Sequence, residues 1–379
     1  MSDAITPFIL AIENTALEDL SRRLAATRWP EPETVSDWSQ GVPLADLRSL
    51  VEYWSNGYDW RRCETELNGI GQFRTTIDGL GIHFLHVRSP HADARPLILT
   101  HGWPSSVLEF RKVIGPLTNP TAHGGQAEDA FHVVIPSLPG YGFSDRPTAP
   151  GWDIARVAGA WTLLMRRLGY DRFVAQGGDW GAAVTAALGR LRPDGLLGIH
   201  ITMPIVFPPP DQRGDVTPRE QSGLDRQKAY LDTGSGYARQ QSTKPQTIGY
   251  ALADSPVGQA AWIFEKFWEW TDCAGDPLSV LTRDEILDTI MLYWLPNTAA
   301  SSARFYWENG FANSPQDPIS IPTAITVFPQ DIFRPSRRWA ERIFTNIIYW
   351  NEPMQGGHFA ASEVPGLFVA ELRNAFRNE

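Results

Sequence analysis

Five residues, Gly177-Gly178-Asp179-Trp180-Gly181, put a carboxylate between an apolar, strand-like run (172–176) and a helix-like run (182–188). The frame is Gly-x-nucleophile-x-Gly, a sharp strand-to-helix turn that lifts one side chain into a cleft at a helix N-terminus. Glycines at both ends let such a turn close against its neighbours. Serine at the apex would give an acyl ester. Aspartate gives an alkyl ester, formed by attack on an electrophilic carbon and cleaved later by water. A plain glycine-rich turn with Asp179 as helix cap would use the same residues. The catalytic reading therefore needs a base, an acid to orient it, and donors for an oxyanion.

The chain offers a candidate for each. The base is His358, in Gly356-Gly357-His358-Phe359 beyond the last strand-like run. Of the eight histidines, His83, His86, His91, His123, His132 and His200 lack this placement, and His101 belongs to another turn. The acid is Asp331, in Phe328-Pro329-Gln330-Asp331. Glu352 and Glu363 lie too near His358 along the chain to orient it, and no carboxylate follows the run 196–203 before Asp211. The order nucleophile, acid, histidine is that of α/β-hydrolases. In that fold the turn His101-Gly102-Trp103-Pro104 supplies one oxyanion-hole amide and the residue after the nucleophile the second, here Trp103 and Trp180.

These groups must be held at the ends of strands. Strand-like runs at 72–77, 82–87, 97–100, 133–136, 172–176, 196–203, 323–328 and 347–350 alternate with helical patterns at 105–117, 154–168, 335–344 and 364–376. That alternation predicts an α/β fold: a mostly parallel central sheet with helices on both faces. The first pair of strands, around Asp78-Gly79-Leu80-Gly81, reads as an antiparallel hairpin. From Pro208-Pro209-Pro210 to about 317 the pattern is helical and aromatic. We expect an N-terminal helical segment (1–70) packing on the rest, a first core part (71–207), an inserted helical cap (208–317) and a second core part (318–379). In the first segment Asn14-Thr15 should cap a helix through Leu17, Leu20 and Leu24, and Pro43 should start another through Trp54.

Composition narrows the partners. The 379 residues carry 33 Lys and Arg against 43 Asp and Glu, a net charge of −10 that argues against nucleic acid. No apolar run approaches a membrane span, and residues 8–12 are too short for a secretory h-region, so the expected location is cytoplasmic. The two cysteines, Cys63 and Cys273, form no metal spacing. Fifteen tryptophans, many of them between 262 and 307, suit either a hydrophobic core or an aromatic pocket.

Taken together, these motifs resemble the α/β-hydrolase-fold epoxide hydrolases, in particular their microsomal-type branch. The resemblance is carried by the elbow, by His101-Gly102-Trp103-Pro104 and by Gly357-His358-Phe359. It extends to Ser235-Gly236-Tyr237, Gln241-Ser242-Thr243-Lys244-Pro245-Gln246-Thr247 and Asp254-Ser255-Pro256-Val257-Gly258. Met291-Leu292-Tyr293-Trp294 and Arg304-Phe305-Tyr306 add to it. Two departures are expected: no counterpart of the microsomal membrane anchor, and Asp331 as the acid where some members have Glu.

The resemblance implies that two cap tyrosines, Tyr237 and Tyr306, donate hydrogen bonds to the epoxide oxygen. From the residues alone, Tyr230, Tyr250 and Tyr293 are rivals. It also implies a hydrophobic epoxide and water as the only partners, with no metal or cofactor. A homodimer is compatible with it. The amides around Asp179 and the helix N-terminus should favour its anion. Trp103, Trp180, Trp268 and Phe305 are the expected pocket residues. A haloalkane dehalogenase, using the Trp180 indole for halide, is the nearest rival. A silent ligand-binding homologue is a second. Detoxification and tailoring of a secondary metabolite fit equally well.

Overall fold

The computed structural model describes residues 3–212, 214–310 and 317–377. Its nine strands are β1 (Thr6–Pro7), β2 (Gln72–Ile77), β3 (Leu80–Val87), β4 (Arg95–Thr100), β5 (Phe131–Pro136), β6 (Phe173–Gly177), β7 (Leu196–Thr202), β8 (Thr323–Thr326) and β9 (Ile347–Asn351). They form one sheet in the order β1-β2-β3-β5-β4-β6-β7-β8-β9. The pairs from β5 through β9 are parallel, and those from β1 to β5 are antiparallel. This is the α/β-hydrolase fold. Central strands covered on both faces read as continuous apolar runs, as in Leu97-Ile98-Leu99, all fully buried.

The sheet reverses its strand order at β4, which has β5 on one side and β6 on the other. Ligands of such sheets bind outside the carboxyl ends of the strands at that reversal. Register puts those ends level. Thr100 of β4 pairs with Gly177 of β6, and Thr202 of β7 with Thr326 of β8. The turns that follow β4, β6 and β8 are thereby brought to one edge.

Three helices precede β2: α1 (Asn14–Ala25), α2 (Leu44–Asn56) and α3 (Trp60–Ile70). The third was not expected. Cys63 and Leu67 are its buried face, and the Asp59 carboxylate caps it through the Arg61 amide. Asn14 does not cap α1. It is the first helical residue, and Glu13 precedes it as cap. The hairpin loop is shorter than the sequence suggested. Asp78 and Gly79, with φ of 50° and 82°, make a two-residue turn between Ile77 and Leu80.

Helices α4 (Arg111–Thr118), α5 (Ile154–Arg167) and α6 (Trp180–Leu191) belong to the core. The expected helix 105–117 is in fact a 3-10 turn, Val107–Phe110, leading into α4. Between β7 and β8 lie α7 (Pro218–Ala229), α8 (Gly236–Thr243), α9 (Pro245–Asp254), α10 (Pro256–Trp270), α11 (Arg283–Trp294) and α12 (Ala299–Asn309). Strong caps fix two of them: Thr217 with Glu220 starts α7, and Thr282 with Glu285 starts α11. A π-helical turn, Tyr230–Gly234, joins α7 to α8. Residues 311–316, the tail of the expected cap, lie outside the described residues. The chain closes with α13 (Arg337–Ala340), α14 (Ala360–Glu363) and α15 (Pro365–Phe376). The helix expected over 335–344 is thus a single turn. Among the described residues no helix is long and apolar enough to cross a membrane.

A buried ionic cluster ties these parts together. Asp288 of α11, fully buried, accepts bonds from Arg62 of α3 (2.7 and 2.9 Å), Arg111 of α4 (2.6 Å) and the Tyr58 phenol (2.8 Å).

Candidate active site

Asp179 sits between β6 and α6 with φ 52° and ψ −126°, backbone angles that an L-residue adopts only under constraint. The constraint is close packing. A Cβ on Gly181 would meet the Thr100 carbonyl at 1.8 Å, and one on Gly102 would meet Asp179 Oδ1 at 2.2 Å. The elbow and the turn after β4 are therefore interlocked through two missing side chains.

The turn after β4 is pinned by His101. Its buried ring accepts the Leu138 amide at Nε2 (3.2 Å) and bonds the Gly102 carbonyl at Nδ1 (2.9 Å). Burial lowers this imidazole to about 4, so it stays neutral. The turn then presents the Trp103 amide, which donates to Asp179 Oδ1 at 2.9 Å.

The other oxygen, Oδ2, lies 3.5 Å from His358 Nε2. Nδ1 of the same ring lies 2.8 Å from Asp331 Oδ1, which also accepts the Ile332 amide at 2.7 Å. The nucleophile, base and acid candidates are thus one connected row. Asp331 and His358 are both buried. Arg226 of α7 holds the acid's loop, donating to the Asp331 carbonyl at 2.6 Å and to both carbonyl oxygens of Gln330. The His358 amide donates to the Trp270 carbonyl at 2.9 Å, and the Gly356 amide to Asp272 at 2.9 Å. Helices from the inserted block therefore brace both loops.

Electrostatics at Asp179 differ from the sequence expectation. Burial is the largest influence and raises its carboxyl. His358 and the amides of Trp103 and Trp180 pull it back, so the donors offset burial without overcoming it. Burial would lower His358, but Asp331, Asp179 and Glu109 outweigh it and raise the imidazole to about 9. Glu109 was missed by the sequence reading. It lies in the 3-10 turn after β4, and burial raises its carboxyl to about 7. An acid inside an ordinary amphipathic run carries no sequence signal.

The tyrosines separate cleanly. Tyr237 and Tyr306 are buried, with ring centroids 5.9 Å apart. Tyr237 stacks on Trp103 at 4.7 Å, and Tyr306 meets Trp180 edge-on at 4.7 Å. Among the described residues neither phenol donates to a backbone carbonyl. Burial, with the Asp179 charge contributing, holds both phenols well above 10, so they remain protonated donors. Tyr293 is committed to the Ser105 carbonyl at 2.7 Å, and Tyr250 is exposed. Tyr230 is a second neighbour: its hydroxyl lies 3.1 Å from that of Tyr237.

Of the expected pocket residues, Trp103, Trp180 and Phe305 are together, with Phe305 edge-on to Trp180 at 5.2 Å. Trp268 is elsewhere. It stacks on Trp38 at 4.8 Å and donates its indole N–H to the Gly275 carbonyl. Trp270 takes its place, 5.1 Å from His358 and 5.3 Å from Tyr237. Two residues along a helix turn a side chain by roughly 200°, to the opposite face. An aromatic run such as Phe267-Trp268-Glu269-Trp270 does not by itself say which ring faces in.

Comparison with known proteins bears on the family and the fold. Residues 5–110 match the family described as "Epoxide hydrolase N terminus", and residues 95–231 match "alpha/beta hydrolase fold". A protein of Stigmatella aurantiaca (strain DW4/3-1), provisionally named an epoxide hydrolase, is 61% identical over 98% of this chain and 85% of its own. Epoxide hydrolase 1 of Sus scrofa is 35% identical over 98% of this chain and 88% of its own. The structure of Aspergillus niger epoxide hydrolase superposes with a TM-score of 0.90 at 31% identity, covering 99% of this chain and 96% of that one.

Proposed function

Because this chain belongs to the epoxide hydrolase family, we propose that it converts a hydrophobic epoxide to a vicinal diol through a covalent ester of Asp179. The observation that carries the mechanism is the division of the Asp179 carboxylate. Oδ1 accepts the Trp103 amide, while Oδ2 faces His358. Oδ2 is then the attacking atom, and Oδ1 stays in the oxyanion hole throughout.

In the first step Oδ2 attacks an epoxide carbon and the carbon–oxygen bond on its far side breaks. Negative charge develops on the epoxide oxygen. Tyr237 and Tyr306 donate to it, a phenol proton completes the new hydroxyl, and a proton from solvent restores the phenol before the ester is hydrolysed. The product is a hydroxyalkyl ester of Asp179. In the second step neutral His358, held by Asp331, takes a proton from water at Nε2. The hydroxide adds to Cγ of the ester. Charge gathers on Oδ1, where the Trp103 and Trp180 amides stabilise it. Collapse expels the diol with Oδ2, which takes the proton held by His358, and the new Asp179 carboxyl releases its remaining proton to solvent. The helices of 218–309 act as the cap that brings the two phenols over the nucleophile.

One observation favours a second reading. The indole N–H of Trp180 is buried without a protein acceptor, as a halide-binding group would be. The paired phenols favour the epoxide, since halide departure needs no such donors. Supplying aryl and alkyl epoxides alongside haloalkanes, and measuring diol and free halide, separates the two. We expect diol. Halide from haloalkanes with no diol from any epoxide would establish the dehalogenase.

A further inference from the structure

Lys266, on α10, is 2% exposed and lies among aromatic rings. Its ammonium is 4.7 Å from the ring centroid of Tyr237 and 5.5 Å from that of Trp270. Two carboxylates hold it there, Glu265 at 3.1 Å and Glu269 at 3.2 Å. Removing an ammonium from water is costly even when it is paired. A lysine whose task was a helix-surface ion pair could stay in solvent. This one is placed against the ring that stacks on Trp103, beside the oxyanion turn.

We propose that Lys266 is a positioning residue for epoxide opening: its ammonium, seated against the Tyr237 ring, strengthens that phenol as a donor to the departing epoxide oxygen. The inference rests on the role given to Tyr237 above. As the phenol shares its proton with a developing alkoxide, electron density grows on the phenol oxygen and ring. A cation against the ring is attracted more strongly to that state than to the resting phenol, so it lowers the barrier. Once the phenol has been restored from solvent, the second step involves no charge on Tyr237 and should not feel the lysine. Glu265 and Glu269 fix the ammonium's position, and the 3.1 Å approach of the Tyr230 hydroxyl limits how far the Tyr237 phenol can swing.

The test is single-turnover kinetics with full-length enzyme in excess over a styrene-oxide-type substrate, resolving ester formation from ester hydrolysis. Lys266→Met should slow ester formation about tenfold, the scale of a desolvated cation–π contact, and leave hydrolysis unchanged. Lys266→Arg should recover most of the loss. In a Tyr237→Phe background, Lys266→Met should have no further effect on ester formation. If Lys266→Met fails to fold, Lys266→Gln keeps a polar partner for the two glutamates and makes the same comparison. An equal slowing of both steps, or a lysine effect that persists without the Tyr237 hydroxyl, overturns the role of Lys266 alone. Unchanged ester formation in Tyr237→Phe by itself overturns the assignment of Tyr237, and this inference with it.

Discussion

His358 Nε2 lies 3.5 Å from Asp179 Oδ2, so the base candidate rests against the carboxylate that would become the ester. That contact makes the basicity of His358 depend on the state of Asp179. In the free enzyme burial works against the imidazolium, but the charges of Asp331, Asp179 and Glu109 raise it to about 9. Esterification makes Asp179 neutral and removes one of those charges. The imidazole of the intermediate must then titrate below 9, toward the range where a base is useful. The sign follows: hydrolysis requires neutral His358, so its rate rises with pH and levels off above the intermediate's value. Single-turnover hydrolysis of the preformed ester across pH should give a midpoint below that of His358 titrated in the free enzyme. A midpoint no lower than that measured for His358 in the free enzyme would mean that Asp179 does not tune its own base.

The two phenols carry a separate prediction. Loss of one oxyanion-type donor costs on the order of 10²–10³ in rate. Tyr237 and Tyr306 partly substitute for each other, so each single change to Phe should cost less than that. The double change should abolish ring opening while thermal unfolding stays near that of the parent, because Phe preserves the stacking on Trp103 and Trp180. Near-parental turnover in the double variant would show that other residues polarise the epoxide.

The Asp288 cluster tests what holds the helical block in place. Asp288→Ala takes the fully buried carboxylate from Arg111 and Arg62 and leaves them only the longer pairs, Arg111 with Glu66 (3.6 Å) and Glu285 (3.5 Å), Arg62 with Glu66 (3.7 Å) and Asp284 (3.5 Å). Breaking a buried pair costs about 3–5 kcal/mol when the partner is left uncompensated, and the remaining pairs put the expectation lower, at about 2 kcal/mol. Equilibrium denaturation should register that loss. A change below about 0.5 kcal/mol, the range of ordinary surface substitutions, would mean that the cluster contributes no net stability.

How much of this was legible in the sequence depends on what each residue's signal is made of. Asp179, His101 and His358 are marked by glycines that the backbone requires, and by their order relative to strands. A Cβ at Gly102 or Gly181 has nowhere to go, so the turn chemistry itself is written in the chain. Asp331 followed from being the only acid after the right strand. Side chains that act from helix faces were harder to place. Choosing Trp268 over Trp270 is a question of helix rotation, decided by packing against the His358 loop. Glu109 and Lys266 look like surface charges until the fold half-buries the first and buries the second. The helix Trp60–Ile70 was missed because its pattern is mostly polar, with buried positions only at Trp60, Cys63, Glu64 and Leu67.

The central claim is that Asp179 is the nucleophile and not a base for water. If Oδ2 attacks, the oxygen first added to substrate comes from the carboxylate, and water replaces it afterwards. The most direct measurement is one turnover in heavy-oxygen water with enzyme in excess, followed by mass analysis of the diol and of the peptide containing Asp179. The account predicts unlabelled oxygen in the first diol and label in the Asp179 peptide. In His358→Gln, where the second step lacks its base, the same experiment should yield protein plus one substrate mass. Label in the first diol, with no adduct in His358→Gln, would contradict the account and make water the nucleophile.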